Sequence, residues 1–217
     1  MFTRNALGLA SLSLMLLGVS GTTGATMIYD FDSTAVGAFG SGTYGTVTLA
    51  QNGSDVDVAV LLRDDLNFVN TGGPHAVFSF NAMDVTAGDI TNILFNGVAN
   101  GNFTIVESAK NVPFGNFDFL LDCTGIGCQN GAPGQQIDPL TFTVLNAAEA
   151  DFASLSVGAF PAYFAADVIC TSGNCNGATG TVGARNPPPS SVAEPGTLAL
   201  LGAGLLGFSA TRRRRKS

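Results

Sequence analysis

The four cysteines of this chain form two pairs with the same Cys-x4-Cys spacing, Cys123 with Cys128 and Cys170 with Cys175. Cysteines in this number support two kinds of chemistry: four thiolates can bind zinc tetrahedrally, or two pairs can oxidise to disulfides. The tight Cys-x2-Cys spacing of zinc knuckles is absent, and glycines inside both intervening segments permit tight turns. We predict the local disulfides Cys123–Cys128 and Cys170–Cys175 and no bound metal, although loop-closure entropy alone would favour a longer link.

The other polar residues offer little for catalysis. His75 is the single histidine, and neither a Gly-x-Ser-x-Gly elbow nor a His-Glu-x-x-His helix accompanies it, so we expect it on a solvent-facing loop. Two carboxylates at the right separation can hydrolyse glycosides, and loop carboxylates can bind calcium together with backbone carbonyls. The closely spaced acidic pairs are Asp30 with Asp32, Asp55 with Asp57, Asp64 with Asp65, and Asp118 with Asp122. We expect no catalytic residue and no cofactor, with calcium as the alternative.

In the segments that would position these residues, apolar and polar residues alternate with a period of two, which is typical of β-strands. In the stretch GTVTLAQNGSDVDVAVLL, residues 45–62, apolar residues alternate with threonine and aspartate on both sides of Asn52-Gly53, which predicts a β-hairpin. Further strands are predicted at residues 27–31, 76–80, 103–107, 117–121, 140–144 and 163–169. Residues 81–96 could form one short helix. This pattern predicts an all-β domain over residues 26–186, an antiparallel β-sandwich of jelly-roll or Ig-like type, with a barrel or mixed fold as alternatives.

Residues 1–25 have the layout of a secretory signal peptide. Arg4 supplies the positive charge, residues 6–19 are apolar, and Thr23 and Ala25 precede a plausible cleavage site. The apolar run is too short for a membrane-spanning helix. Export into an oxidising compartment in turn favours disulfides over zinc.

Near the other end, residues 195–211 are uncharged and would extend about 25 Å as a helix, against roughly 30 Å for the hydrocarbon core of a bilayer. A basic cluster follows: Arg212, Arg213, Arg214, Arg215 and Lys216. Long basic side chains can reach the headgroups, and such clusters remain cytoplasmic. We therefore predict a transmembrane helix that stops transfer and leaves the body outside. The alternative, an amphipathic surface helix, is disfavoured because the apolar residues leave no polar face.

The segments near the C-terminus follow one another in a characteristic order. A Pro- and Ser-rich linker at residues 187–193 precedes Glu194, Pro195 and Gly196, and then come the Gly- and Leu-rich span and the basic cluster. Residues 194–217 resemble the PEP-CTERM sorting signal of bacterial exosortase substrates, except that Ala193 stands where the usual motif has proline. The resemblance implies retention in the inner membrane, processing by exosortase, a membrane cysteine transpeptidase-like enzyme, and transfer to the cell surface or an extracellular polymer matrix. Because a residue before proline avoids helical geometry, the motif should be extended and accessible.

The net charge of residues 26–191 limits the classes of partner that the exported body can bind. Residues 26–191 contain 15 acidic and three basic residues, a formal net charge of −12. Nucleic-acid binding requires clustered Lys and Arg and is therefore not expected. We expect a surface or matrix protein that is not an enzyme and that associates with exopolysaccharide or envelope components. The alternatives are a secreted carbohydrate-active hydrolase that uses paired Asp and Glu, and a calcium-dependent lectin-like module.

Overall fold

Strands and short 3₁₀ turns make up the computed structural model, which describes residues 26–125, 128, 131–173, 175 and 177–188. The strands are β1 (Thr26–Asp30), β2 (Ser33–Thr34), β3 (Gly45–Asn52), β4 (Asp55–Leu62), β5 (Leu66–Phe68), β6 (Phe78–Phe80), β7 (Ile90–Phe95), β8 (Val98–Ala99), β9 (Phe103–Asn111), β10 (Gly115–Cys123), β11 (Leu140–Val144), β12 (Phe164–Cys170) and β13 (Thr179–Ala184). The predicted signal peptide, nearly all of the linker and the whole sorting segment lie outside the described residues.

The strands form two antiparallel sheets. The first has the order β1-β3-β4-β11-β7-β8, and the second has the order β2-β13-β12-β6-β10-β9, with β5 also paired to β12. One edge of β12 is shared, because β6 pairs with its first half and β5 with its second half. The prediction of an all-β antiparallel fold is confirmed, and every predicted strand segment contains a strand.

The predicted hairpin is formed by β3 and β4. Asn52 pairs with Asp55, so Gly53 and Ser54 make a two-residue turn, and Gly53 has a φ of +65°. A left-handed backbone at this position is easily adopted by glycine. The register places Val47 and Leu49 on the buried face of the first sheet, as the alternation predicts.

The short helix considered for residues 81–96 is not formed. A 3₁₀ turn occupies Ala87–Asp89, where the Thr86 and Asp89 side chains bond back to the turn, and strand β7 follows at Ile90. β-branched residues in β7 suit a pleated surface, and pairing with β11 satisfies its backbone. Across the described residues there is no α-helix, and none of their helical segments has the length and hydropathy to cross a membrane.

Phenyl rings from both sheets fill the space between them. The Phe142 ring of the first sheet lies 5.9 Å from Phe78 and 5.3 Å from Phe80 of the second, measured between centroids. Phe80 in turn lies 5.4 Å from Phe119 and 5.8 Å from Phe152. Tilted and stacked aromatic contacts at these distances add to the free energy of burying the rings. The two sheets therefore pack face to face as a sandwich.

A second, smaller apolar cluster covers the outer face of the second sheet. It comprises Ala76, Phe114, Phe117, Leu120, Ala162 and Ala165. The Ser156 hydroxyl donates to the Phe114 carbonyl at 2.5 Å and accepts from the Ala162 amide at 2.9 Å, which holds the two covering segments together. Loops over this face produce the clefts described below.

Candidate functional site

Both predicted cysteine pairs lie at disulfide distance. The Cα–Cα separation is 5.6 Å for Cys123–Cys128 and 5.7 Å for Cys170–Cys175. Cys123 ends β10 and Cys170 ends β12, so each link closes the turn that follows its strand. Such short loops constrain the unfolded chain only modestly, by about 2 kcal/mol each.

The four sulfurs that a zinc site would use are divided between two separate disulfides. Within the described part of the chain, the single group of three metal-type ligands is Asp65 with Cys170 and Cys175, and these two sulfurs are bonded to each other. The four cysteines therefore do not converge on one point. Asp65 already accepts a hydrogen bond from Arg63 at 2.6 Å, and its carbonyl accepts from the Thr171 amide, which attaches the second disulfide loop to the turn after β4.

Four carboxylates of the predicted acidic pairs accept hydrogen bonds from distant parts of the chain: both members of the pair Asp55 and Asp57, and Asp32 and Asp122 of two other pairs. Asp57 accepts from the Thr143 hydroxyl at 2.9 Å, and Asp55 accepts from the Asn146 amide at 3.0 Å, so both link β4 to β11 and the turn beyond it. Asp32 accepts from the backbone amides of Arg185 and Asn186. Asp122 accepts from the Asn70 side chain at 2.6 Å. The hydrogen bonds to these carboxylates connect loops to strands. Calcium binding by the acidic pairs stays a prediction.

His75 lies in a partly buried polar cluster rather than on an open loop. Its Nδ1 is 3.3 Å from the Thr181 hydroxyl, and that hydroxyl donates to the Val112 carbonyl at 2.7 Å. The His75 ring and the Thr181 hydroxyl thus belong to one hydrogen-bonded chain that ends at the Val112 carbonyl. Thr181 is also buried. The cluster therefore acts to hold the loop over the sheet.

Asp167 is the buried acid of this cluster, and sequence reasoning missed it. Its side chain is fully buried in β12, where Oδ2 accepts from the amide and hydroxyl of Thr71 at 2.8 and 2.6 Å. Its Oδ1 has no partner among the described residues. Burial raises the pKa of Asp167 from 3.8 to about 6, although the bonds from Thr71 and the nearby His75 oppose the shift. Strand β12 is buried on both faces, and Asp167 lies on the same face as Ala165, where the loop that carries Thr71 covers it, so no local pattern in the sequence marks this aspartate as buried.

Two open clefts lie on the covered side of the second sheet. One, of about 370 Å³, is lined by Asn81, Asp118 and Ser154 together with the apolar Leu155 and Val157. Asn81 is not free to bind a ligand, because it donates to the Ser154 carbonyl and accepts from the Asp118 amide. Asp118 and Asp122 thus face different surroundings, and only Asp118 lines this cleft.

The second cleft, also of about 370 Å³, lies between β2, the turn after β9 and the start of the C-terminal segment. It is lined by Ser33, Thr34, Ala35, Pro113, Phe114, Phe160 and Arg185. Both clefts fall within the size range of small-ligand sites. None of these lining residues was predicted from the sequence, although Arg185 is one of only three basic residues between positions 26 and 191.

These features define the class of the body: an all-β sandwich with two local disulfides and shallow surface clefts. Residues 191–215 match the PEP-CTERM protein-sorting motif, which is the motif of exported proteins that exosortase sorts. The match includes the predicted Glu194, Pro195 and Gly196 and all but one residue of the basic cluster. No curated protein and no solved structure matches the chain. The expected resemblance is confirmed, and the body is without a matched relative.

Proposed function

We propose that this chain is an exported surface or extracellular-matrix protein, without catalytic activity, whose C-terminal segment anchors the precursor in the inner membrane until an exosortase-type enzyme processes it. The observation that carries the proposal is the sorting motif at residues 191–215. The signal-peptide layout of residues 1–25 and the oxidisable cysteine pairs agree with export.

The mature body would associate with exopolysaccharide or other envelope components. Its charge of −12 keeps it soluble and away from nucleic acid. The hydrogen bonding of Asp55, Asp57 and Asp122 to other parts of the chain supports a role without catalysis, since a glycosidase needs two carboxylates that face each other across a substrate cleft. The described disulfides fit a protein that must persist outside the cell.

Intact-mass spectrometry of the mature protein from cells with and without exosortase tests this proposal. We expect a shortened C-terminus that requires the enzyme, and accumulation of membrane-bound precursor in its absence. Pro195→Ala should also accumulate precursor because it restores helical freedom to Glu194, whereas Pro187→Ala in the linker should not. Identical C-termini in both strains would refute the sorting role.

A further inference from the structure

The second cleft places an arginine next to an exposed phenyl ring. The guanidinium carbon of Arg185 lies 5.8 Å from the centroid of Phe160, and Phe160 is 53% exposed. A phenyl ring that is exposed to this extent does not gain the free energy of burial that a ring in the core gains. The guanidinium lies over the ring, and the exposed part of Phe160 supplies an apolar surface next to this positive charge.

Arg185 has unused hydrogen-bonding capacity. Its Nε donates to the Pro161 carbonyl at 3.3 Å, which orients the guanidinium, but its two Nη groups have no acceptor among the described residues. The other two basic residues of this part of the chain differ from it: Arg63 is paired with Asp65, and Lys110 lines neither cleft. The paired Nη groups of an arginine match the two oxygens of a carboxylate.

Ser33 also lies in the wall of this cleft. Its hydroxyl has no hydrogen-bond partner among the described residues, and Thr34 beside it is already bonded to the Thr181 carbonyl. Asp32, the carboxylate next to this wall, is satisfied by the amides of Arg185 and Asn186 and by the Asn186 side chain. The cleft thus offers three groups to a ligand: the hydroxyl of Ser33, the two Nη groups of Arg185 and the ring of Phe160.

We propose that this cleft binds a carboxylate-bearing sugar unit, such as a uronic acid residue of an acidic polysaccharide. The sugar ring would stack on Phe160, its carboxylate would accept from Arg185, and a ring hydroxyl would bond with Ser33. The cleft volume of about 370 Å³ accommodates one such unit. The inference rests on the proposed function in one respect: an exported protein encounters such polymers.

The negative charge of the body does not prevent this binding. Charges farther away than the Debye length, about 8 Å at physiological ionic strength, are largely screened, and the nearby carboxylate of Asp32 is held by three N–H donors from Arg185 and Asn186. Contact between the carboxylate and Arg185 occurs within that distance. Affinity for one unit should therefore be modest and fall as salt is raised.

The test measures binding of tetragalacturonate to the full chain in a polyoxyethylene detergent by titration calorimetry, with maltotetraose as the neutral probe. We expect binding of the acidic probe only. Arg185→Gln and Phe160→Leu should each weaken it about tenfold, as loss of a charge-assisted bond or a stacked ring implies. Lys110→Gln removes the same charge from β9 and should change affinity less than about twofold. Circular dichroism of each variant verifies folding.

Three results would overturn the inference: equal loss in Arg185→Gln and Lys110→Gln, equal binding of maltotetraose, or preference for an acidic peptide over tetragalacturonate. Binding that emerges only after removal of residues 189–217 would instead assign the cleft to the chain's own C-terminal segment and also overturn it. Because these measurements use purified protein, they are independent of whether exosortase processes the chain in cells.

Discussion

At the scale of single residues, burial of the Asp167 carboxylate has a clear cost in free energy. A carboxylate buried in a strand loses its hydration, and two bonds from Thr71 replace only part of it. The aspartate nevertheless holds the loop after β5 against the outer face of the second sheet. Its contribution to stability therefore depends on its protonation state.

Replacement of Asp167 should change how stability depends on pH. The pKa of about 6 in the folded chain exceeds the ordinary 3.8, so folding takes up a proton between these values. This contribution to the free energy of unfolding is present below pH 3.8 and is lost as pH rises through 6, a change of about 3 kcal/mol. Asp167→Asn should not show this loss, so its stability relative to the native chain should increase over that interval in urea titrations.

Asp64→Asn serves as the control, because Asp64 is exposed on the turn after β4. Its urea midpoints should follow those of the native chain at every pH. Parallel curves for Asp167→Asn and the native chain would show that Asp167 does not control this pH dependence.

At the scale of elements, the ends of β10 and β12 carry covalent links in addition to packing, since Cys128, Cys170 and Cys175 are buried in the main core. Both strands belong to the second sheet, and each link joins the last strand residue to the turn that follows. A short disulfide also limits local opening of the turn that it closes.

Removal of one link should therefore have a limited effect. The double variant Cys170→Ala with Cys175→Ala should lose about 2 kcal/mol of unfolding free energy, the value expected for so short a loop. The matching variant at Cys123 and Cys128 should lose a similar amount. Thermal unfolding monitored by circular dichroism gives both values. A non-reduced peptide that joins the two regions would contradict the local pairing.

At the scale of the whole molecule, a strongly acidic body is combined with a strongly basic end. The full chain has a formal charge of −7, and five of its nine basic residues are Arg212 to Lys216. This charge distribution agrees with the proposed export of the body and the proposed retention of the basic cluster at the cytoplasmic face of the membrane.

Processing should make the protein more acidic. If exosortase removes the basic cluster, the mature form loses five positive charges and should elute later than the precursor from an anion exchanger. Chromatography of detergent extracts from cells with and without the enzyme provides the comparison. Chymotryptic fragments that retain residues 212–216 in the late-eluting form would exclude this explanation.

The sequence by itself determined the strand-rich body, its main hairpin, the local cysteine pairs and the sorting motif. Each depends on residues that are close in the chain: alternation over a few positions, a turn residue such as Gly53, or the order of parts around Glu194. Strand β13 was missed because Gly180 and Gly183 weaken its pattern. A Cβ at Gly183 would lie 2.5 Å from the Phe114 ring, so that glycine is explained only by a distant neighbour.

The tertiary structure alone decided the clefts and the burial of Asp167. Pairing of β2 with β13 brings Ser33 to the end of the strand that leads to Arg185, and the covering loop adds Phe160 from a third part of the chain. Local sequence patterns do not reveal these contacts between distant segments, because the contacts depend on the order of strands in the sheet and on the course of the loops. The sorting motif is therefore a stretch of contiguous residues, whereas the proposed binding cleft is assembled by folding.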